Sequence, residues 1–132
     1  MSKVFVQDVV SSAGATSIAI ASTAVVYTQS FKLAWGEYFG LRYQAVSAGG
    51  TPDLKIELQQ GDVPPTTEGS ADAEYVEAEN MSDIETNLTT ETVHRKSISP
   101  PPSVYARFKI TGNAANPADT VFNAKLSISE DI

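Results

Sequence analysis

The chain has 132 residues, no cysteine, and a formal net charge of −7 from nine basic and sixteen acidic side chains. This length is enough for one domain with its own hydrophobic core, and the absence of cysteine excludes disulfides and thiolate metal sites. The negative charge argues against nucleic acid as the main partner, because phosphate binding needs a basic surface.

Short runs that alternate apolar and polar residues predict strands in the first half of the chain. A loop rich in glycine and proline at 48–53 separates two of these runs, 39–45 and 54–58, and this pattern predicts a hairpin. The strands predicted in this half cover residues 3–10, 16–21, 24–28, 31–35, 39–45 and 54–58.

The second half begins with a polar segment at 61–70, which the paired prolines keep out of regular structure. Residues 81–92 are ambiguous, because Ile84 and Leu88 lie four apart and are compatible with one helical turn. The two clearest alternating runs, 104–110 and 122–128, predict neighbouring strands of one half-buried sheet, with Arg107 on its solvent-exposed face. The strands predicted in this half cover residues 73–76, 92–98, 104–110 and 122–128.

These elements predict an all-β protein, an antiparallel β-sandwich of jelly-roll type with about seven to nine short strands. We expect residues 1–132 to form a single domain, with 1–10 as an N-terminal arm or an edge strand. The inward faces of the runs predict a core of Leu33, Trp35, Leu41, Tyr43, Leu54, Ile56, Leu58, Val104, Phe108, Ile110, Phe122, Leu126 and Ile128.

We expect neither a signal peptide nor a membrane span in this sequence. Gln7 and Asp8 interrupt the first apolar run, whereas a secretory signal needs about 7–15 uninterrupted apolar residues. The later run 18–26 is far shorter than the roughly 20 residues that cross a bilayer.

No residue pattern in the sequence indicates catalysis or a cofactor. His94 is the single histidine, and no nucleophile motif of the form G-x-S-x-G accompanies it. One histidine and no cysteine are too few ligands for a zinc site. The acids Asp72, Glu74, Glu77 and Glu79 lie close together but lack the spacing of a calcium-binding loop. We therefore predict no catalytic residue, no cofactor-binding residue, no metal ligand, and no required ion.

Six aromatic residues leave a sugar-binding module open as an alternative function. Such a module stacks sugars on aromatic rings that are exposed together on one face. The simpler interpretation is that these rings pack in the core of the sandwich. The residues concerned are Tyr27, Trp35, Tyr38, Tyr43, Tyr75 and Tyr105.

Acidic residues are concentrated in one part of the chain. Residues 53–91 contain eleven of the sixteen acids and one base, Lys55, so the remainder is mildly positive. This division is compatible with an ordinary solvated loop, or with like subunits that orient an acidic edge against a basic face.

The run SISPPPSVYARFKITGNAANPADTVFNAKLSISED at 97–131, with the acidic stretch and ETVHRK before it, resembles small β-sandwich virion proteins of tailed bacteriophages. The resemblance implies a non-enzymatic structural protein that decorates or cements the capsid, in the virion after synthesis in the host cytoplasm. It implies the major capsid protein or other virion subunits as partners, and a homo-oligomer. A carbohydrate- or cell-surface-binding module remains the alternative.

The N-terminal strand is the segment from which we expect a partner contact, because terminal strands are easily added to another sheet edge. The equally open alternative is that this strand completes its own sandwich. The candidate contact residues are Val4, Phe5, Val6, Val9 and Val10.

Overall fold

A computed structural model describes residues 2–8, 17–33, 38–79, 81–101 and 103–131, with the backbone alone for 2–8, 130 and 131. Within these ranges the chain forms ten strands and no helix, so none of the described segments is a helix that could span a membrane. The strands are β1 (Ser2–Asp8), β2 (Ile18–Ile20), β3 (Val25–Tyr27), β4 (Phe31–Lys32), β5 (Tyr38–Val46), β6 (Leu54–Gly61), β7 (Glu85–Leu88), β8 (His94–Ile98), β9 (Tyr105–Gly112) and β10 (Thr120–Asp131).

The strands form two antiparallel sheets. In sheet 1 the order is β1–β10–β5–β8, and β2 pairs with the same strand β10 as β1 does. In sheet 2 the order is β3–β9–β6–β7, and β4 also pairs with β9. If β1 with β2 and β3 with β4 are each counted as one interrupted strand, the eight strands have the connectivity of a jelly roll. The predicted all-β antiparallel sandwich is confirmed.

Both pairings predicted between successive long strands are wrong. Strand β5 pairs with β10 and β8 in sheet 1, whereas β6 pairs with β9 and β7 in sheet 2. Strands β9 and β10 are likewise divided between the two sheets. The loops 47–53 and 113–119 therefore connect the sheets across the end of the sandwich, because a jelly roll repeatedly passes the chain from one sheet to the other.

The core lies between the two sheets and follows the predicted alternation. Eleven of the thirteen predicted core residues are buried, as are others such as Ile20, Phe31 and Ile98. Val104 is only half-buried, because it lies before the first residue of β9 that pairs with β6. Trp35 lies outside the described residues.

The ambiguous segment is extended and forms no helical turn. The Ile84 amide donates to the Ile56 carbonyl at 2.9 Å, and Leu88 pairs with Leu54. Pairing with β6 explains how both Ile84 and Leu88 reach the core although they are four residues apart. In the segment 73–76, Val76 forms an isolated bridge to Gln60 in place of the predicted strand.

Candidate functional site

The outer face of sheet 2 is covered by the polar segment 62–79 that follows β6, which we call the covering segment. Arg107 of β9 points to this face, yet its exposed fraction is 0%. Its guanidinium lies between the rings of Tyr27 and Tyr75, 4.2 and 4.9 Å from their centroids. Nε donates to Gln59 Oε1 at 3.0 Å and Nη1 donates to the Ser70 carbonyl at 2.7 Å. Arg107 therefore lies on the predicted side of its strand, but the predicted exposure of that side to solvent is wrong, because residues of the covering segment exclude water from it.

Burial affects the chemistry of this arginine cluster. Desolvation lowers the pKa of Arg107, and Nη2 is buried with no hydrogen-bond partner among the described residues. Desolvation also raises the pKa of Tyr75, whose hydroxyl donates to the Val63 carbonyl at 2.7 Å. A Cβ atom at Gly61 would lie 2.5 Å from the Tyr75 ring, so this glycine allows the ring to close over the strand. The cluster fastens the covering segment to the sheet.

The four acids considered for calcium are not brought together. Asp72 accepts backbone hydrogen bonds from Thr66 at 3.1 Å and Glu74 at 3.0 Å, and these bonds lower its pKa. It organises the covering segment. Glu77 instead joins Glu57 of β6 and Asp83 ahead of β7.

Glu57, Glu77 and Asp83 form a carboxylate cluster whose oxygen atoms lie within 4.8 Å of one another. Burial, and then the charge of Asp83, raise the pKa of Glu77 to about 7, and its Oε2 atom is buried without a partner in the described part of the chain. Lys55 Nζ lies 3.7 Å from Glu57 and 3.9 Å from Asp83. The cluster can share a proton, and its oxygens are of the type that hard cations prefer. Glu77 belongs to the acidic group noticed in the sequence, but Glu57 and Asp83 lie outside it on either side, so the spacing within that group did not indicate the cluster.

The depression that reaches the carboxylate cluster is open, whereas a hydrolase needs a deep pocket. An open depression of about 310 Å³ reaches Asp83, and its lining also includes Met81, Lys96 and Pro101. Among the residues that line this depression, Asp83 is the one acid. An acid pair does not face substrate-sized space there.

His94 packs against Tyr43 at the edge of sheet 1. The two rings stack with centroids 5.3 Å apart, and His94 Nε2 lies 2.7 Å from Thr90 Oγ1. The Tyr43 hydroxyl donates to Glu85, and burial followed by this bond raises the pKa of Tyr43. Thr90 is the hydrogen-bond partner of His94, and no acid among the described side chains hydrogen-bonds this histidine. A nucleophile, a histidine and an orienting acid are not assembled here.

The tyrosines do not form an exposed platform. Tyr43 and Tyr75 are buried, and Tyr27 lies beneath the guanidinium of Arg107. Lys32 Nζ lies 6.0 Å from the ring centroid of Tyr105. Tyr38 is 60% exposed on β5, and Trp35 lies outside the described residues. The described rings thus mostly serve packing and cation contacts.

The candidate partner-contact strand lies at one edge of sheet 1. Val4, Phe5 and Val6 of β1 pair with Ser129, Ile128 and Ser127 of β10 in the same chain. Val9 and Val10 lie outside the described residues. The other edge of β1 takes no strand from the described part of the chain, so a contact with a partner through this edge stays a prediction.

No family model and no curated protein matches the chain. Among solved structures, one chain of the structure of infectious bursal disease virus, Gx strain, is similar to it, with a TM-score of 0.51 and 10% sequence identity. The similarity covers 98% of this chain but 33% of that longer chain. At this identity the likeness concerns the fold, and no individual residue can be matched to a role.

Proposed function

We propose that this chain is a non-enzymatic structural component of a virus particle, a decoration or cement protein that binds the capsid surface and stabilises it. The observation that carries the proposal is the likeness of nearly the whole chain to part of a chain in a virus structure. Jelly rolls are a recurrent architecture of viral capsid proteins, and also of lectins.

The side-chain arrangement supports a binding role over turnover. The carboxylate cluster of Glu57, Glu77 and Asp83 is half-buried, and the depression that reaches its member Asp83 is open. His94 has Thr90 as its polar partner and lacks an orienting acid among the described residues. The sugar-binding alternative has less support, since the described tyrosines do not share one exposed face.

We propose a tailed bacteriophage as the source, the major capsid protein or other virion subunits as partners, and a homo-oligomeric protein located in the virion after synthesis in the host cytoplasm. Strand β1 supports a role in contact, because edge strands present unpaired backbone groups to a neighbour. The resemblance of residues 97–131 to phage virion proteins supports the source.

Co-sedimentation tests the proposal. Purified protein is mixed with capsids of the same virus that were prepared without it, and bound protein and capsid heat resistance are measured. We expect saturable binding and a higher temperature of capsid disruption, because many weak contacts on a repeating lattice add through avidity. Full-length protein that neither binds nor stabilises the capsids would overturn the proposal.

A variant that lacks residues 1–10 serves to test the contact strand. Circular dichroism first establishes that the shortened protein keeps its β-sheet spectrum and a cooperative melt. If the folded variant binds capsids as well as the full chain, the role of Val4, Phe5 and Val6 is overturned while the decoration role stands.

A further inference from the structure

Three basic residues form a row across the outer face of sheet 1. Arg42 of β5 lies directly opposite Lys125 of β10 on one side and Arg95 of β8 on the other. Their strand neighbours Leu41 and Leu126 point into the core, so the basic side chains point away from it. Lys125 and Arg95 are exposed and Arg42 is half-buried. We call these three residues the basic row.

The basic row disfavours folding, since like charges directly opposite each other in a sheet repel. In the described part of the chain, none of the three residues forms an ion pair. Arg42 donates to the neutral side chains of Asn123 and Gln44. Asp8 of β1 lies opposite Lys125 in the backbone register. A chain with a net charge of −7 thus gathers a third of its nine bases on one face, and none of the three pairs with an acid among the described side chains.

Small residues beside the basic row leave it accessible to a second surface. Gly40, Ser97 and Ser127 lie next to Arg42 and Arg95 around an open depression of about 240 Å³. Gly40 has room for a methyl group, since a Cβ atom there would make only an ordinary van der Waals contact with Ser127 Cβ at 3.9 Å. No long side chain from these positions blocks access to the guanidinium groups.

The opposite face of the sandwich carries negative charge. The covering segment 62–79 contains six acids and no base, and it is held against the outer face of sheet 2 through Arg107 and Tyr75. The acids of the covering segment form a surface that we call the acidic face. Four of its acids are exposed: Asp62, Glu68, Glu74 and Glu79.

We propose that the basic row of one copy of this chain binds the acidic face of a second copy, so that the sandwiches associate front to back. Because the two surfaces lie on opposite sides of each molecule, this contact is heterologous and produces a ring or an open row of subunits. The inference rests on the self-association included in the proposed function and names its surfaces. Self-association is measured on the purified chain alone, whereas capsid binding is measured with capsids. A failure of either experiment therefore leaves the other proposal standing.

The association expected from these charges is weak and sensitive to salt. An exposed ion pair raises an association constant by about two- to fivefold, and three such pairs together by on the order of ten- to a hundredfold. Screening shortens the range of these charges from about 10 Å at 0.1 M salt to about 3 Å at 1 M, so high salt should remove most of the effect.

Sedimentation velocity of the purified full-length chain tests the inference, at low and high salt and over a range of protein concentrations. Two variants reverse one charge each: Arg95→Glu in the basic row and Glu74→Arg in the acidic face. They change the net charge in opposite directions, yet we expect each to weaken self-association at least about threefold. A mixture of the two should regain association, since each supplies the surface that the other lacks.

Lys96→Glu is the matched control. Lys96 is the neighbour of Arg95 on β8 and undergoes the same change of charge, but its Nζ donates to the Ile84 carbonyl on the opposite side of the strand. We expect it to associate like the unmodified chain. Circular dichroism melts verify that all variants are folded, and a variant that fails to fold is replaced by Lys125→Glu or Glu79→Arg.

Four results would overturn the inference. The first is an unmodified chain that stays monomeric at low salt. The second is that one of the two variants associates more strongly and the other more weakly than the unmodified chain, in the order of their net charges. The third is a Lys96→Glu variant as impaired as Arg95→Glu. The fourth is an oligonucleotide that binds the chain through Arg95 while the chain does not self-associate.

Discussion

Arg107 offers the sharpest test of how the covering segment is held to sheet 2. We consider Arg107→Met, which keeps an unbranched side chain of similar length and removes the charge and its donors. Arg107 contacts the Ser70 carbonyl and the Tyr75 ring, both in the covering segment, in addition to Gln59 and Tyr27 of sheet 2. The substitution therefore loosens the segment while leaving the core residues unchanged.

Two opposing contributions decide the size of the effect. Two hydrogen bonds from a charged donor contribute about 3–6 kcal/mol in total, and two cation–π contacts add about 2 kcal/mol. Against this, burial of a guanidinium costs several kcal/mol, which methionine avoids. Methionine leaves Gln59 Oε1 and the Ser70 carbonyl without their donors, which adds about 1 kcal/mol for each. We expect a net destabilisation of about 2 kcal/mol, equivalent to a fall of roughly 6–10 °C in Tm for a chain of this length.

Urea denaturation and limited proteolysis measure the two consequences. The midpoint should fall with an unchanged m-value, and a glutamate-specific protease should cleave the variant faster at Glu68 and Glu74. Lys109→Met is the matched control, because Lys109 lies two residues further along β9 on the same face and is only half-buried. It should change stability by less than about 1 kcal/mol. An Arg107→Met variant as stable and as protease-resistant as the unmodified chain would refute the reasoning.

Three further substitutions test other parts of the structure. In Gly112→Ala the new Cβ would lie 1.7 Å from the Ser22 carbonyl oxygen, so we expect a loss of about 3 kcal/mol or more, whereas Gly40→Ala should be nearly neutral; equal thermal stability of the two variants would contradict this. Phe108→Ala should lower the free energy of unfolding by about 3–5 kcal/mol in urea melts, because the ring is buried; a loss below about 1 kcal/mol would contradict its place in the core. Glu77 has a pKa of about 7 when folded and 4.5 as its ordinary value, so the folded state binds more protons and stability falls as pH rises from 4.5 to 7. Glu77→Gln removes this loss and should be more stable than the unmodified chain by about 1 kcal/mol at pH 8, after allowance for solvent screening, with little difference at pH 4.5; a difference independent of pH would contradict the raised pKa.

The alternation of residues predicted the faces of the strands but not their neighbours. Leu41 and Leu126 were placed correctly in the core because a period of two reports which side of a strand is apolar. In a sandwich both sheets turn an apolar face inward, so the same pattern fits two strands that pair and two strands that face each other. The loop at 47–53 is compatible with either arrangement, and for this reason β5 and β6 were wrongly paired.

The candidate site was less predictable because it depends on long-range contacts. Nothing around Arg107 in the sequence reveals that Ser70 and Tyr75 return to cover it. The carboxylate cluster joins Glu57 to Glu77 and Asp83 through the pairing of β6 with the chain ahead of β7, which no spacing encodes. The basic row follows from the register of β10, β5 and β8, and this register requires the topology first.

Particle composition tests most directly whether the chain is a structural component of a virus particle, as we propose. Particles are purified from the virus with the gene intact and with it deleted, and both are examined by quantitative mass spectrometry and cryo-electron microscopy. We expect many copies of the 14.1 kDa chain in each intact particle, and a repeated sandwich-sized density on the shell that the deletion removes. Intact particles that lack the chain, or identical shells from both preparations, would contradict it.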